Sequence, residues 1–201
     1  MNDTTHHIGR PRRSSKRTLE EAAAELFLEQ TYARTTVDQI AARAGVSRNT
    51  FFNYFGSKSD LLWVDFDETI ERLGAELAAE AEDRAVMDAV REAIVRVAAS
   101  HAEDRVPWAL TQVDLMGTRD DLEASGLRRF MKQCGVLQAF VSRRLGSSAK
   151  PVLPRAVAFA VLGAAAAAAG VWANAGVGRR PLADYVAEAV EPVCAGFAQV
   201  L

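Results

Sequence analysis

Residues 36–55, TVDQIAARAGVSRNTFFNYF, decide how this chain folds. Val37, Ile40, Ala41 and Ala44 recur at helical spacing, and Thr35-Thr36 offers hydroxyls to cap the start. Gly45 stops that helix because glycine accepts the left-handed backbone that a tight turn requires. Ser47 caps a second short helix running to about Phe55. Two short helices joined by a glycine turn make a helix-turn-helix. Ala41 is small enough for the second helix to cross closely, and Val46 plugs the joint.

The second of these helices has two faces. Phe51 and Phe55 lie four apart and are expected to face inward. Asn49 and Asn53 lie four apart on the other side, with Thr50 beside them. An aromatic back and a short polar front fit a major groove, where Asn pairs with adenine and the Thr methyl meets a thymine methyl. Arg48 stands at the first turn, within reach of guanine or phosphate. Tyr54, Lys58 and the Thr36 cap are placed to meet phosphates. The competing reading is that Asn49, Thr50 and Asn53 form an ordinary solvated helix face.

Upstream, GRPRRSSKR at residues 9–17 carries five positive charges, and Pro11 prevents an early helix. Residues 1–15 are expected to form a flexible basic arm. Arg10, Arg12 and Arg13 are its candidate minor-groove contacts; a solvated tail is the alternative. A helical stripe of Leu19, Ala22, Ala23, Leu26 and Phe27 follows. The DNA-binding head is assigned to residues 16–58.

At these residues the sequence resembles the TetR family of bacterial transcriptional regulators. Thr36, Val37, Ile40, Ala41, Ala44, Gly45, Val46, Ser47, Thr50, Phe51, Tyr54, Phe55, Lys58 and Leu61 match the family's pattern. Phe52 departs from it, standing where the family usually has a phosphate-touching tyrosine. The run FFNYFGSKSDLLWVDFD also resembles the branch associated with mycofactocin-type gene clusters. The resemblance implies a dimeric, ligand-responsive regulator, with repression as the default. Residues 59–201 would then form a ligand-binding and dimerisation body.

The rest of the chain agrees with an all-α fold of about nine helices. Ser57 and Asp60 have capping-box spacing and open a fourth helix, expected to reach Asp83. Five more are expected near 86–103, 107–118, 121–146, 152–176 and 182–199, with prolines at starts and glycines at stops. Pro192 should bend or shorten the last. Candidate walls of an apolar pocket are Trp63, Phe66, Met87, Ile94, Trp108, Leu115, Met116, Phe130, Cys134, Phe159 and Leu162. Gln112 and His101 are the polar candidates within it. For any one of these, ordinary core is the competing reading.

Residues 156–178 carry no charge and include six consecutive alanines, 164–169. The length would span a membrane. Alanine and glycine are too weakly apolar to drive insertion, so no membrane is expected. Small residues instead permit close helix pairing. Gly163, Ala167 and Gly170, with Tyr185, Ala189 and Val193 on the last helix, are the candidate dimer interface. That the two helices belong to the monomer's core is the alternative.

Composition sets the outer bounds. The chain has 201 residues, 49% hydrophobic and 25% charged, which excludes a mainly disordered chain. Its net charge of -2 divides unevenly: residues 1–58 carry +3 and the remainder -5. A basic head suits a polyanion such as double-stranded DNA. Cys134 and Cys194 are too far apart in sequence to signal a zinc knuckle and fit buried thiols in a reducing cytoplasm. His6 and His7 lie in the leader, and His101 has no metal-type spacing, so no enzyme, metal or cofactor is expected. The functional alternative is a sequence-tolerant architectural DNA binder without an effector.

Overall fold

The computed structural model describes residues 12–102, 105–146 and 151–201, with side chains from Lys16 onward. It is all-α, with no strand among the described residues. The candidate arm residue Arg10 lies outside the described residues, as do the side chains of Arg12 and Arg13. The chain forms two compact units. One comprises residues up to Leu62 together with Gln112–Arg119, and the other Trp63–Thr111 with Asp120–Leu201.

In the first unit, α1 spans Arg12–Gln30. It starts directly after Pro11, so residues 12–15, expected to belong to the flexible arm, are helical. Proline is well tolerated just ahead of a helix, because its missing N–H would have no partner there. Leu19, Ala23 and Phe27 are completely buried along one face of α1. α2 spans Val37–Arg43 and α3 spans Arg48–Phe52. Thr36 and Gln39 form a capping box: the Gln39 amide donates to Thr36 Oγ1 at 3.2 Å, and the Thr36 amide donates to Gln39 Oε1 at 2.8 Å. Gly45 closes α2 with φ +67°. Its amide donates to the Ala42 carbonyl, and the Val46 amide donates to the Ala41 carbonyl. That pair of bonds is the Schellman arrangement, which satisfies the last carbonyls of a helix. Ser47 Oγ then accepts from the Thr50 amide at 3.1 Å to open α3.

Lys58 fastens this unit from outside the motif. Its half-buried Nζ donates to the carbonyls of Tyr32 at 2.7 Å and Thr35 at 2.8 Å and lies 3.8 Å from the Tyr32 ring centroid. Arg43 bridges α2 to α1 through Glu25 and Glu29. The same guanidinium holds the Glu29 carboxyl below its usual range, chiefly by hydrogen bonding. Two further short helices belong to the chain beyond the head: α7, Trp108–Thr111, in the second unit, and α8, Val113–Met116, in the first. The Tyr32 amide donates to the Met116 carbonyl at 2.8 Å, docking α8 on the end of α1.

The second unit contains α4 (Val64–Ile70), α5 (Leu73–Ala78), α6 (Val86–Ala99), α7, most of α9 (Arg119–Leu145), α10 (Val152–Ala173) and α11 (Leu182–Ala198). The expected fourth helix is divided into a 3-10 turn at Lys58–Trp63, then α4 and α5. The joint at Glu71 and Arg72 stays right-handed (φ -68°, ψ -17° and φ -70°, ψ -18°), so the coil tightens there without reversing. The expected helix 107–118 is also divided, at Gln112 (φ -118°, ψ 20°). These two breaks account for eleven α-helical segments among the described residues where about nine helices were expected.

The core of this unit is assembled by α6, α10 and α11, with α11 packed on both others. Met87, Val90, Ala93, Ile94 and Val97 bury one face of α6, meeting Val157, Val161 and Trp172 of α10 and Val186 and Val190 of α11. Each buried Val, Ile or Met side chain stabilises the fold by about 1.5–3 kcal/mol. α10 is long and apolar enough to cross a membrane by length and composition. Its buried stripe gives that apolarity a structural use, since Val157, Val161 and Trp172 are at most 1% exposed. Arg179 caps the end of α10 by donating to the carbonyls of Trp172 and Ala173. Pro192 does not end α11, which continues to Ala198. Pro192 and Glu188, whose carbonyl loses its partner, are both exposed, so water can replace the missing bond.

Both cysteines are buried and free. Burial raises the Cys134 thiol pKa and pushes that of Cys194 up to about 11, so neither is a thiolate near neutral pH.

Trp63 lies across α9. Its indole N–H donates to Ser125 Oγ at 2.8 Å, and the Arg129 guanidinium stacks 5.2 Å from its ring. Gly126 makes the approach possible, because a Cβ there would stand 2.8 Å from the ring.

Two substitutions test these fastenings. Lys58→Met should destabilise the protein by about 1–3 kcal/mol, since two carbonyls lose a charged donor; thermal unfolding reads this. Gly126→Ala should cost about 1–3 kcal/mol by overpacking and shift the tryptophan emission as the Trp63 ring moves. An unchanged melting temperature together with an unchanged spectrum would contradict the packing assigned to Gly126.

Candidate DNA-binding surface and effector cavity

The orientation of α3 follows from its two rings. Phe51 is 0% and Phe55 4% exposed, and their centroids stand 5.5 Å apart. Asn49 and Asn53 consequently face solvent, and Thr50 is half-buried. α3 is shorter than expected: it ends at Phe52, with Asn53 as its C-cap. Asn53 retains helical backbone angles (φ -71°, ψ -19°), so Asn49 and Asn53 still share one flank. Tyr54 is half-buried beside them, and the exposed Thr36 side chain stands at the start of α2.

Arg48 is less free than the sequence indicates. Its guanidinium meets the Asp38 carboxylate at 2.6 Å and lies 5.3 Å from the Phe52 ring centroid. Phe52 is 45% exposed and packs edge-on against Phe51. The departure from tyrosine at position 52 thus leaves an apolar platform under Arg48, where a phenol would have supplied a donor. A phosphate approaching Arg48 would have to compete with Asp38. Lys58, expected to meet phosphate, instead uses two of its donors on the protein's own carbonyls.

The second unit contains a half-open cavity of about 260 Å³. Of the expected walls, Trp63, Phe66, Ile94, Phe130 and Leu162 line it. Met87 and Cys134 lie in the core without lining it, and Phe159 packs edge-on behind Phe130 at 5.6 Å. Trp108 is half-buried in the second unit but is not a lining residue. Gln112, Leu115 and Met116 fall in the first unit: the break at Gln112 sends α8 onto α1, burying Met116 and leaving Leu115 68% exposed. A sequence read as one continuous helix cannot reveal that change of partner.

Several lining residues were missed. Ala165, Ala166, Ala169 and Gly170 of α10 form a smooth wall, which the run of small residues could have signalled. Arg129 also lines the cavity and makes a two-pronged ion pair with Asp67, at 2.6 and 2.7 Å. The third missed feature, Gln133, is 7% exposed. Polar side chains inside a long helix such as α9 read as solvent-facing, so nothing in sequence marked these two.

His101 supports the wall from behind. Its ring stacks on Phe66 at 4.9 Å and meets Trp172 edge-on at 5.2 Å. Nε2 lies 2.7 Å from the Arg105 carbonyl, which can only accept, so Nε2 carries the proton. In the neutral ring Nδ1 then accepts from Thr69 Oγ1 at 3.1 Å. Thr69 itself lines the cavity.

On α10, Ala167 and Gly170 are exposed and Gly163 is half-buried. Tyr185, Ala189 and Val193 of α11 are half-buried against the core of their own unit. Gly170 also lines the cavity, so one side of α10 serves the pocket while its outer stripe of small residues remains uncovered.

Comparison with known proteins agrees with both units. Residues 19–62 match the model described as bacterial regulatory proteins of the tetR family, and residues 84–198 match that described as the MftR C-terminal domain. The chain is 27% identical over 165 residues to a Mycobacterium tuberculosis protein named as the mycofactocin biosynthesis transcriptional regulator MftR, covering 82% of this chain and 83% of that one. The head is 39% identical over 56 residues to the HTH-type regulator HbdR of Aromatoleum sp., or 28% of this chain and 24% of that one. Among solved structures, NalD of Pseudomonas aeruginosa superposes with a TM-score of 0.58 at 16% identity, covering 92% of this chain and 98% of that chain. SmeT of Stenotrophomonas maltophilia gives 0.55 at 18% identity, covering 91% of each chain. With the asparagine flank of the helix-turn-helix exposed and both halves matched, the chain belongs to the TetR family of bacterial transcriptional regulators, with a C-terminal domain of the MftR type.

Proposed function

We propose that this protein is a cytoplasmic repressor that binds a palindromic operator as a homodimer and releases it when a small apolar molecule occupies the cavity. The observation that carries the reading is the exposed flank of α3, where Asn49 and Asn53 face solvent over buried Phe51 and Phe55. Asn49, Thr50 and Asn53 read base edges, while Arg48, Tyr54 and Thr36 meet phosphates. The name of the M. tuberculosis relative supports promoters of mycofactocin biosynthesis genes as targets.

Effector action rests on differential affinity: a ligand that binds one packing of the helices better shifts the population toward it. Trp63 is suited to report occupancy. It lines the cavity and is the first residue of the second unit, directly after Leu62 closes that part of the first. Dimerisation is supported by the outer stripe of α10, where Ala167 and Gly170 let a second backbone approach closely. A two-fold dimer in turn matches a palindrome.

The DNA reading is tested by fluorescence anisotropy against the promoter upstream of a mycofactocin cluster and a scrambled copy. The promoter should be favoured by about 10³-fold or more. Asn53→Ala should cost about 1–3 kcal/mol on the promoter and little on scrambled DNA. Equal affinity for both sequences with a steep salt slope would instead make the protein an architectural binder. Ala167→Arg should convert a dimer to a monomer in sedimentation velocity with the helix content unchanged. A dimer that survives this change would move the interface elsewhere.

A further inference from the structure

The polar groups in the cavity wall restrict its ligand more than the cavity's apolar character does. Among the described lining residues Arg129 is the one charged side chain, and its ion pair with Asp67 engages both carboxylate oxygens. A ligand carboxylate would have to share Arg129 with Asp67 and would bring a net negative charge into an apolar chamber. A ligand ammonium would likewise bring a net positive charge, since both Asp67 oxygens are already engaged by Arg129. Either ion loses its hydration for little return, a cost that neutral groups escape. Thr69 is already engaged with His101.

Gln133 differs from these. It lines the cavity, is only 7% exposed, and its amide has no hydrogen-bond partner among the described residues. The amide opens onto the cavity, so a ligand that fills the cavity without a hydrogen-bonding group would leave it buried and unpaired, and one that pairs with it avoids that cost. The amide offers both a donor and an acceptor. The cavity, at about 260 Å³, lies near the lower end of small-molecule sites, about 300 Å³.

We infer that the effector is an uncharged, compact, mainly apolar molecule bearing one carbonyl or amide group, which Gln133 recognises by hydrogen bonding. This deepens the effector half of the proposed function and rests on it. Gln133 then sets specificity, and Trp63, Phe66 and Phe130 supply apolar contact without discriminating between polar groups.

The test is direct binding to the full-length protein without DNA, by calorimetry and tryptophan fluorescence. The probes are 2-octanone, octanamide, 1-chlorooctane, octanoate and octylamine. The ketone and the amide should bind about tenfold or more tighter than the acid and the amine at pH 7. In Gln133→Met, which keeps the side-chain length, ketone and amide affinity should fall about tenfold while 1-chlorooctane binds as well or better. Gln133→Glu, checked for folding by circular dichroism, should lose the ketone and retain or gain the amide, because a carboxylate can only accept. Octanoate binding as tightly as octanamide, or Gln133→Met binding 2-octanone like the parent, would overturn the inference. Operator release by any of these probes, read separately by anisotropy, would leave the regulator reading intact in that event. Failure of the protein to select its promoter would sink that reading without touching the binding series.

Discussion

The burial of two phenyl rings orients everything the head can do. α3 is five residues long, too short to hold a fixed face by helix propensity alone. Phe51 and Phe55, buried where α3 packs on α2, remove that freedom. Once they are inside, Asn49 and Asn53 have no choice but solvent. The Gly45 turn, the Ser47 cap and the Lys58 clasp all maintain the angle at which α3 leaves α2. Lys58 belongs among these fastenings because its ammonium donates to the Tyr32 and Thr35 carbonyls where the chain turns between α1 and α2.

The second unit obeys a different constraint. Its core helices α6, α10 and α11 pack conventionally, yet α10 is built from residues too small to fill the space beside α4 and α9. The shortfall is the cavity. Its walls are held in place by specific contacts: Trp63 by a hydrogen bond to Ser125, Phe66 by stacking on His101, and Arg129 by its ion pair with Asp67. Such a cavity is apolar without being featureless, and the few polar groups bordering it carry its chemical selectivity.

The sequence was most informative where local rules act alone. Capping hydroxyls, glycine stops and proline starts located most helix boundaries to within a few residues, because caps and turns depend on neighbours a few positions away. It was less informative for the helix expected from Ser57 to Asp83. The pattern there is continuous, and the joint at Glu71–Arg72 involves no proline or glycine, so no local signal marks it. The same holds at Gln112, where one residue's backbone divides a helix and gives its halves to different units.

From the sequence alone came the all-α class, the outward asparagine flank, the family and the apolar nature of the body. Each depends on periodicity or on a motif whose parts lie within about twenty residues. Tertiary structure alone decided which apolar residues border the cavity and which fill the core. It also paired Arg129 with Asp67 and set the Gln133 amide on the cavity wall without a partner among the described residues. Asp67 and Arg129 are 62 positions apart, and only the packing of α4 against α9 brings them together. Sequence periodicity shows which way a side chain turns from its own helix axis; what it meets there depends on which helix arrives.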